Sequence, residues 1–186
     1  KEVGIFPIVV HGGGPQIAQK LKNKNITSKF VEGLRVTDKD TVKVVEDVLA
    51  NDINTEIVKS ISESGGKAVG LNGNKNTLLS ATKLELEVKD SDSNIEKLID
   101  IGFVGQPTKV NINLINSHIK KGEIPVIAPI GVDDEGNSYN INADTAAGFI
   151  AGELKASKLL LLTDVPGILD RDKKLVSSLT LDDASK

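Results

Sequence analysis

Apolar residues along the chain fall into two spacings. Short apolar runs at 5–10, 67–71, 124–128 and 158–162 read as strands, and the first, rich in β-branched residues, has the signature of a buried parallel strand. Between them apolar positions recur every three or four residues. Ile17 and Leu21 form one such face, Val44, Val45, Val48 and Leu49 a second, and Ile53, Ile57, Val58 and Ile61 a third. Ile112, Ile115 and Ile119 follow, then Ala146, Ala147, Ile150, Ala151 and Leu154. This spacing predicts helices with one buried stripe, the last with a small-residue face suited to close packing on a sheet.

Boundary residues sharpen the reading. Pro15 fits the first helical position, Asp38 can cap the next helix, and Gly65-Gly66 and Gly122 read as stops. Alternation across 29–37 around Glu32-Gly33 predicts a hairpin. Residues 72–106 are irregular, with Asn72-Gly73-Asn74 and a polar run at 89–94, and are expected to form hairpins over one end of the sheet. An acidic turn at 133–137 leads into a short strand ending at Asn140, and 182–186 reads as the start of a helix. Strands alternate with helices, so the expected fold is α/β, a mainly parallel open sheet sandwiched by helices. No internal repeat or linker divides the chain.

Composition narrows the chemistry. The 186 residues suit one domain or at most two, enough to bury a core. Apolar content is 39% but aromatic content only 3%, so Ile, Val, Leu and Ala must build that core. A net charge of -3 gives no reason to expect nucleic acid or an anionic membrane as partner. No apolar run approaches the ~20 residues of a membrane-spanning helix. Cysteine is absent, which excludes disulfides, thiolate catalysis and cysteine-ligated zinc. With no methionine and an apolar strand almost at once after Lys1, the chain reads as an internal piece of a longer protein, without a signal or transit peptide.

Three strings at strand ends hold the candidate chemistry, where an open α/β sheet places its ligands. In His11-Gly12-Gly13-Gly14-Pro15 the glycines permit close backbone approach and positive φ. The helix start after them offers unpaired N–H groups and a positive dipole end, suited to a phosphate or carboxylate. A tight strand-to-helix turn explains the same glycines. Asn140 and Asp144 flank a second helix start. Either Asn142 or Asp144 can be its cap or first-turn acid, or Asn140 holds substrate while Asp144 orients charges in a cleft. In the third string Asp164 and Gly167 could shape a nucleotide pocket or a simple Pro-Gly turn. Arg35, within the expected hairpin, has a guanidinium suited to a carboxylate or phosphate, or is a solvated strand arginine. His11 reads as a brace for the glycine loop. His118, beside Lys120 and Lys121, reads as part of a solvated face. Neither H-E-x-x-H nor G-x-S-x-G occurs, so zinc and hydrolase-triad chemistry find no support.

Taken in order, 7–17, Gly33-Leu34-Arg35-Val36-Thr37-Asp38, Ala68-Val69-Gly70-Leu71, Gly102-Phe103-Val104-Gly105, 139–144 and 161–169 closely resemble the acetylglutamate kinases, the arginine-pathway branch of the amino acid kinase family. The resemblance covers nearly the whole chain. It implies ATP-dependent phosphorylation of the γ-carboxylate of N-acetyl-L-glutamate to an acyl phosphate, the second step of arginine biosynthesis. By that likeness Gly13, Gly14, Arg35 and Asn140 bind substrate and Asp144 organises the catalytic lysines. Asp164, Val165, Pro166, Gly167, Ile168 and Leu169 line the ATP site, with Mg²⁺ arriving on the nucleotide and no protein metal site. Residues 1–155 would bind the acceptor and form the dimer, and 156–186 would begin the ATP-binding part.

The resemblance also implies a homodimer or hexamer in the bacterial cytoplasm, with the plastid stroma less favoured. A carboxylate acceptor is already deprotonated at neutral pH, so the chemistry asks for no general base. The family's Lys-x-Gly-Gly string and its second lysine string are not within 1–186, so this piece alone is expected to be inactive or nearly so. Two alternatives remain: another amino acid kinase acting on carbamate, aspartate or glutamate, and a non-catalytic module that binds acidic metabolites.

Overall fold

The computed structural model describes residues 4–73, 78–89 and 96–184. Its centre is a parallel sheet in the order β1 (Val9–Val10), β9 (Ile124–Ile127), β4 (Ala68–Leu71). Val9 pairs with Val126, and Ala68 through Leu71 pair in register with Ile124 through Ile127. Alternation along β4 assigns its two faces. Val69 and Leu71 join Ile115 of α4 (Ile112–Lys120) and Ala146 and Ile150 of α5 (Ala143–Glu153) in one core. Gly70 faces the other way, toward Asn54 and Val58 of α3 (Asn54–Glu63). Helices therefore cover both faces, as the expected α/β sandwich requires.

A second core joins Ile17 and Leu21 of α1 (Gly14–Asn23) to Val45 of α2 (Lys39–Glu46) and to Val48, Leu49 and Ile53. Each such side chain contributes about 1.5–3 kcal/mol on burial. Asp38 caps α2 as expected, its carboxylate accepting from the Thr41 N–H at 2.8 Å. The separate helices expected at 44–49 and 53–61 are instead one continuous run, because Asp47–Ile53 forms a π-helical segment between α2 and α3. A 3.6-residue apolar spacing does not reveal this widened turn.

The expected hairpin is β2 (Phe30–Val31) paired antiparallel with β3 (Leu34–Arg35). The irregular stretch holds β5 (Leu79–Lys83) and β8 (Gly105–Val110). It also holds the antiparallel pair β6 (Leu86–Lys89) and β7 (Glu96–Ile99), which bears out the expected hairpins. β5 and β8 join β10 (Ile130–Val132) and β11 (Ser138–Asn140) in a second sheet. Only the β10–β5 pairing there is parallel, so the mainly parallel character belongs to the central sheet. Asn74 and residues 90–94 of the polar run lie outside the described residues. Leu181–Ala184 forms α6, while 185–186 of the expected helix lie outside them.

Two strand expectations need correction. Of residues 5–10 only Val9–Val10 is strand, and Ile5 and Phe6 are 62% and 65% exposed. Residues 158–162 form no strand, and Leu162 is 96% exposed. An apolar run becomes a strand only beside another backbone, and no described strand runs alongside this one. No described helix is long and apolar enough to cross a membrane.

Candidate active site

Beyond the ends of β1 and β9, a cleft of about 200 Å³ lies between the glycine loop, the β2–β3 hairpin and the start of α5. Gly12, Gly13, Gly14, Arg35 and Asn140 all line it, so four sequence-chosen substrate residues, 13, 14, 35 and 140, converge there. α1 begins at Gly14, with Pro15 in its first turn and no side chain capping its N–H groups. That leaves donors and the positive dipole end facing the cleft.

Of the two uses expected of the glycines, positive φ is not taken up. None of the three lies in the left-handed region, and the φ of Gly13 is extended at 179°. A Cβ on Gly13 would lie 2.7 Å from Leu49 Cδ2 and would also strike Ile53 Cδ1. Close packing against the π-helical segment therefore demands glycine at 13, while a Cβ on Gly14 meets nothing within 4 Å.

Arg35 is not a solvated strand arginine. It is 7% exposed, and its guanidinium donates to Ser28 Oγ and, at 3.2 Å, to the Gly14 carbonyl. Phe30 lies directly across the hairpin ladder from Arg35, and its ring centroid is 4.7 Å from the guanidinium carbon. Burial pulls the Arg35 pKa down, and no carboxylate among the described residues offsets it.

Asn140 ends β11, where its N–H donates to the Phe103 carbonyl at 2.9 Å and its amide reaches Thr37 Oγ1 at 3.5 Å. Thr37 is fully buried and donates through that oxygen to the Arg35 carbonyl at 2.8 Å. Thr37 thus links the two polar residues that converge on the cleft, a role its sequence context did not reveal.

His11 is 8% exposed and braces the loop as expected. Its Nδ1 lies 3.0 Å from the Gly12 carbonyl and its Nε2 3.2 Å from Asn54 Nδ2. Burial lowers the His11 pKa, with the Gly12 carbonyl opposing. His118 departs from the solvated face expected of it. Its side chain is 16% exposed, with Nδ1 2.6 Å from Glu123, which also meets Lys67 at 3.2 Å. His118 first and Lys67 second hold the Glu123 carboxyl below its ordinary range.

Asn142, not Asp144, caps α5, its side chain accepting from the Thr145 N–H at 3.0 Å. Asp144 is exposed in the first turn, next to Ala143, which lines the cleft. Residues 164–169 are exposed and line no part of the cleft. Among the described residues no group of three or more His, Asp or Glu side chains could hold a metal ion.

The amino acid kinase family model matches residues 1–186. The acetylglutamate kinase of Rhodospirillum centenum is 53% identical over all 186 residues, which span 61% of its length. Among solved structures, smu.665 from Streptococcus mutans superposes with a TM-score of 0.78 at 30% identity, covering 91% of this chain and 64% of that one. N-acetylglutamate synthase from Neisseria gonorrhoeae, complexed with coenzyme A and N-acetyl-glutamate, gives a TM-score of 0.77 at 23% identity. That match covers 99% of this chain and 40% of the synthase, a likeness of fold. The chain thus spans about six-tenths of the length of the curated relatives it matches.

Proposed function

The chain belongs to the amino acid kinase family, and on that premise we propose that the whole protein transfers the γ-phosphoryl group of ATP to the γ-carboxylate of N-acetyl-L-glutamate. The observation that carries this reading is Arg35. It is a buried cation opening onto a cleft beside a helix N-terminus, with no carboxylate among the causes of its lowered pKa. A buried, unpaired charge is costly. A substrate carboxylate supplies the missing partner, and the guanidinium carries more N–H donors than its bonds to Ser28 and Gly14 use.

The division of labour is the one that the resemblance to the acetylglutamate kinases implies. Arg35 binds the α-carboxylate, and Asn140 contacts the N-acylated amino acid. Gly13 and Gly14, at the start of α1, face the transferring phosphoryl group with backbone N–H donors, which stabilise charge on its oxygens. Asp144, exposed one residue beyond the cleft lining, orients the catalytic lysines. Residues 164–169 line the nucleotide site. Mg²⁺ neutralises phosphate charge when it arrives with ATP, held by the nucleotide rather than by a protein cage. In this reading 1–155 is the acceptor-binding and dimer-forming part and 156–186 begins the ATP-binding part. The protein works in the bacterial cytoplasm as a homodimer or hexamer.

The test is a hydroxamate trap for acyl phosphate on the full-length protein, with Mg-ATP and N-acetylglutamate, glutamate, aspartate or carbamate offered separately. Product with N-acetylglutamate alone supports the proposal. Product with another acceptor reassigns the substrate, and no product from folded protein points to a binding module.

A further inference from the structure

Asn54 is a buried polar residue in the apolar stripe of the α2–α3 run, 5% exposed. Its amide nitrogen makes two contacts far away in sequence. One is the Val126 carbonyl on β9 at 2.9 Å, and the other is His11 Nε2 at 3.2 Å. The central sheet makes room for it, because a Cβ on Gly70 would strike Asn54 Oδ1. A glycine within a strand weakens it, so the space serves the asparagine.

The hydrogen-bond roles are forced. The Val126 carbonyl can only accept, which fixes Nδ2 as the amide end that faces it. Nδ2 can only donate, so His11 Nε2 must accept. The imidazole proton then sits on Nδ1, where it donates to the Gly12 carbonyl at 3.0 Å. In a trans peptide the Gly13 N–H points opposite the Gly12 carbonyl, so holding one aims the other. No charged side chain among the described residues bears on His11. Around it stand the Gly12 carbonyl, the Asn54 amide and the Ile127 carbonyl, which accepts from the His11 N–H at 3.3 Å.

We propose that Asn54 is a positioning residue. By holding His11 as the Nδ1–H tautomer it fixes the Gly12–Gly13 peptide, and with it the donor that Gly13 presents to the cleft. The inference rests on the reading of that cleft as the phosphoryl-transfer site.

Asn54→Asp separates this role from a merely structural one. A carboxylate only accepts, so Nε2 must then carry a proton. With His11 doubly protonated, both of its own bonds form and the loop stays braced, while the Val126 carbonyl loses its donor equally at every pH. As pH rises through the His11 pKa, which the new carboxylate raises, the proton leaves Nδ1 and the Gly12 carbonyl loses its donor.

The experiment combines ¹⁵N NMR of the His11 imidazole in the full-length protein with kcat against pH for wild type and Asn54→Asp. The expected tautomer in wild type at pH ~7.5 is Nδ1–H. The variant is expected to lose turnover about tenfold to a hundredfold at alkaline pH, and much less at acid pH, with KM for ATP little changed. An Nε2–H or doubly protonated His11 in wild type overturns the proposal. So does a variant whose activity ratio to wild type is flat with pH. If the variant does not fold, the wild-type tautomer decides. If wild type forms no acyl phosphate, the functional reading falls, while the tautomer measurement still tests this one.

Discussion

The Arg35 guanidinium donates to the Gly14 carbonyl at 3.2 Å, tying the β2–β3 hairpin to the first turn of α1. The two residues are 21 positions apart, and the bond closes one wall of the cleft. It also sets the charge pattern there. A helix N-terminus and a guanidinium share one small space, so an anion meets two sources of positive potential. Phe30 keeps water from one face of the guanidinium, which strengthens both.

Arg35→Lys tests that wall. Lysine keeps the charge but loses the planar fork, the contact with Phe30 and the reach to both Ser28 and Gly14. Affinity for N-acetylglutamate, measured by calorimetry on the full-length protein, is expected to fall by about 2 kcal/mol, roughly 30-fold. Binding of ATP should change little. An unchanged acceptor affinity would show that the guanidinium serves the hairpin and not the ligand.

Much of this arrangement was legible in the chain. The helix faces through Ile17 and Leu21, Ile115 and Ile119, and Ala146 and Ile150 follow from periodicity, and Asp38 and Pro15 fix helix starts. Gly13, Gly14, Arg35 and Asn140 were singled out by the resemblance to the acetylglutamate kinases, since their places at strand and hairpin ends alone left a purely structural reading open. What stayed hidden is non-local. Asn54 looks like one polar break in an apolar stripe until β9 and the glycine loop are beside it. The π-helical segment leaves no mark in apolar spacing. Residues 158–162 read as strand because apolar run length cannot report whether a neighbouring backbone is present.

Tyr139, the chain's one tyrosine, offers a clean probe of the acidic turn. Its hydroxyl donates to Asp133 at 3.0 Å, and Asp133 also accepts from the N–H groups of Glu135 and Asn137 and from the Asn137 amide. Burial first and the Asp133 carboxylate second push the Tyr139 pKa up. In Asp133→Ala the tyrosinate absorbance titration should move down toward the ordinary value of about 10 without reaching it, because burial persists. The Asp133 carboxyl is itself held below its ordinary range, with Asn137 the main cause. Its stabilising contribution is therefore complete above pH ~4 and lost as pH falls through the lowered value. The gap in Tm between wild type and Asp133→Ala should close over that acid window. A gap that is constant with pH would rule out an ionised Asp133 as the hub.

Adjacent glycines should respond in opposite ways. Alanine at 14 meets nothing within 4 Å and replaces glycine at a helix start, so it should be neutral or stabilise by up to about 1 kcal/mol. Alanine at 13 drives its Cβ into Leu49 and Ile53 and should cost about 1–3 kcal/mol. Denaturant unfolding of the two variants checks both. Equal effects would mean that the π-helical segment gives way.

The contact between Gly13 and the π-helical segment can be isolated by a double-mutant cycle. Ile53→Ala alone removes a side chain 8% exposed from the core shared with Leu49, Val48 and Ala128, and should cost about 2–5 kcal/mol. Yet Ile53 Cδ1 is the atom nearest to a Cβ at position 13, so Gly13→Ala placed in the Ile53→Ala background finds that obstruction gone. The second substitution should then cost less than it does in wild type, by about 0.5–3 kcal/mol of coupling. Relief should be partial, because Leu49 Cδ2 remains 2.7 Å from the added carbon. Leu49 and Ile53 are one turn apart on the segment and converge on one atom of the loop, so a register shift of the segment would displace both. If the two substitutions add without coupling, the loop is set independently of the segment, and its conformation must come from β1 and His11 alone.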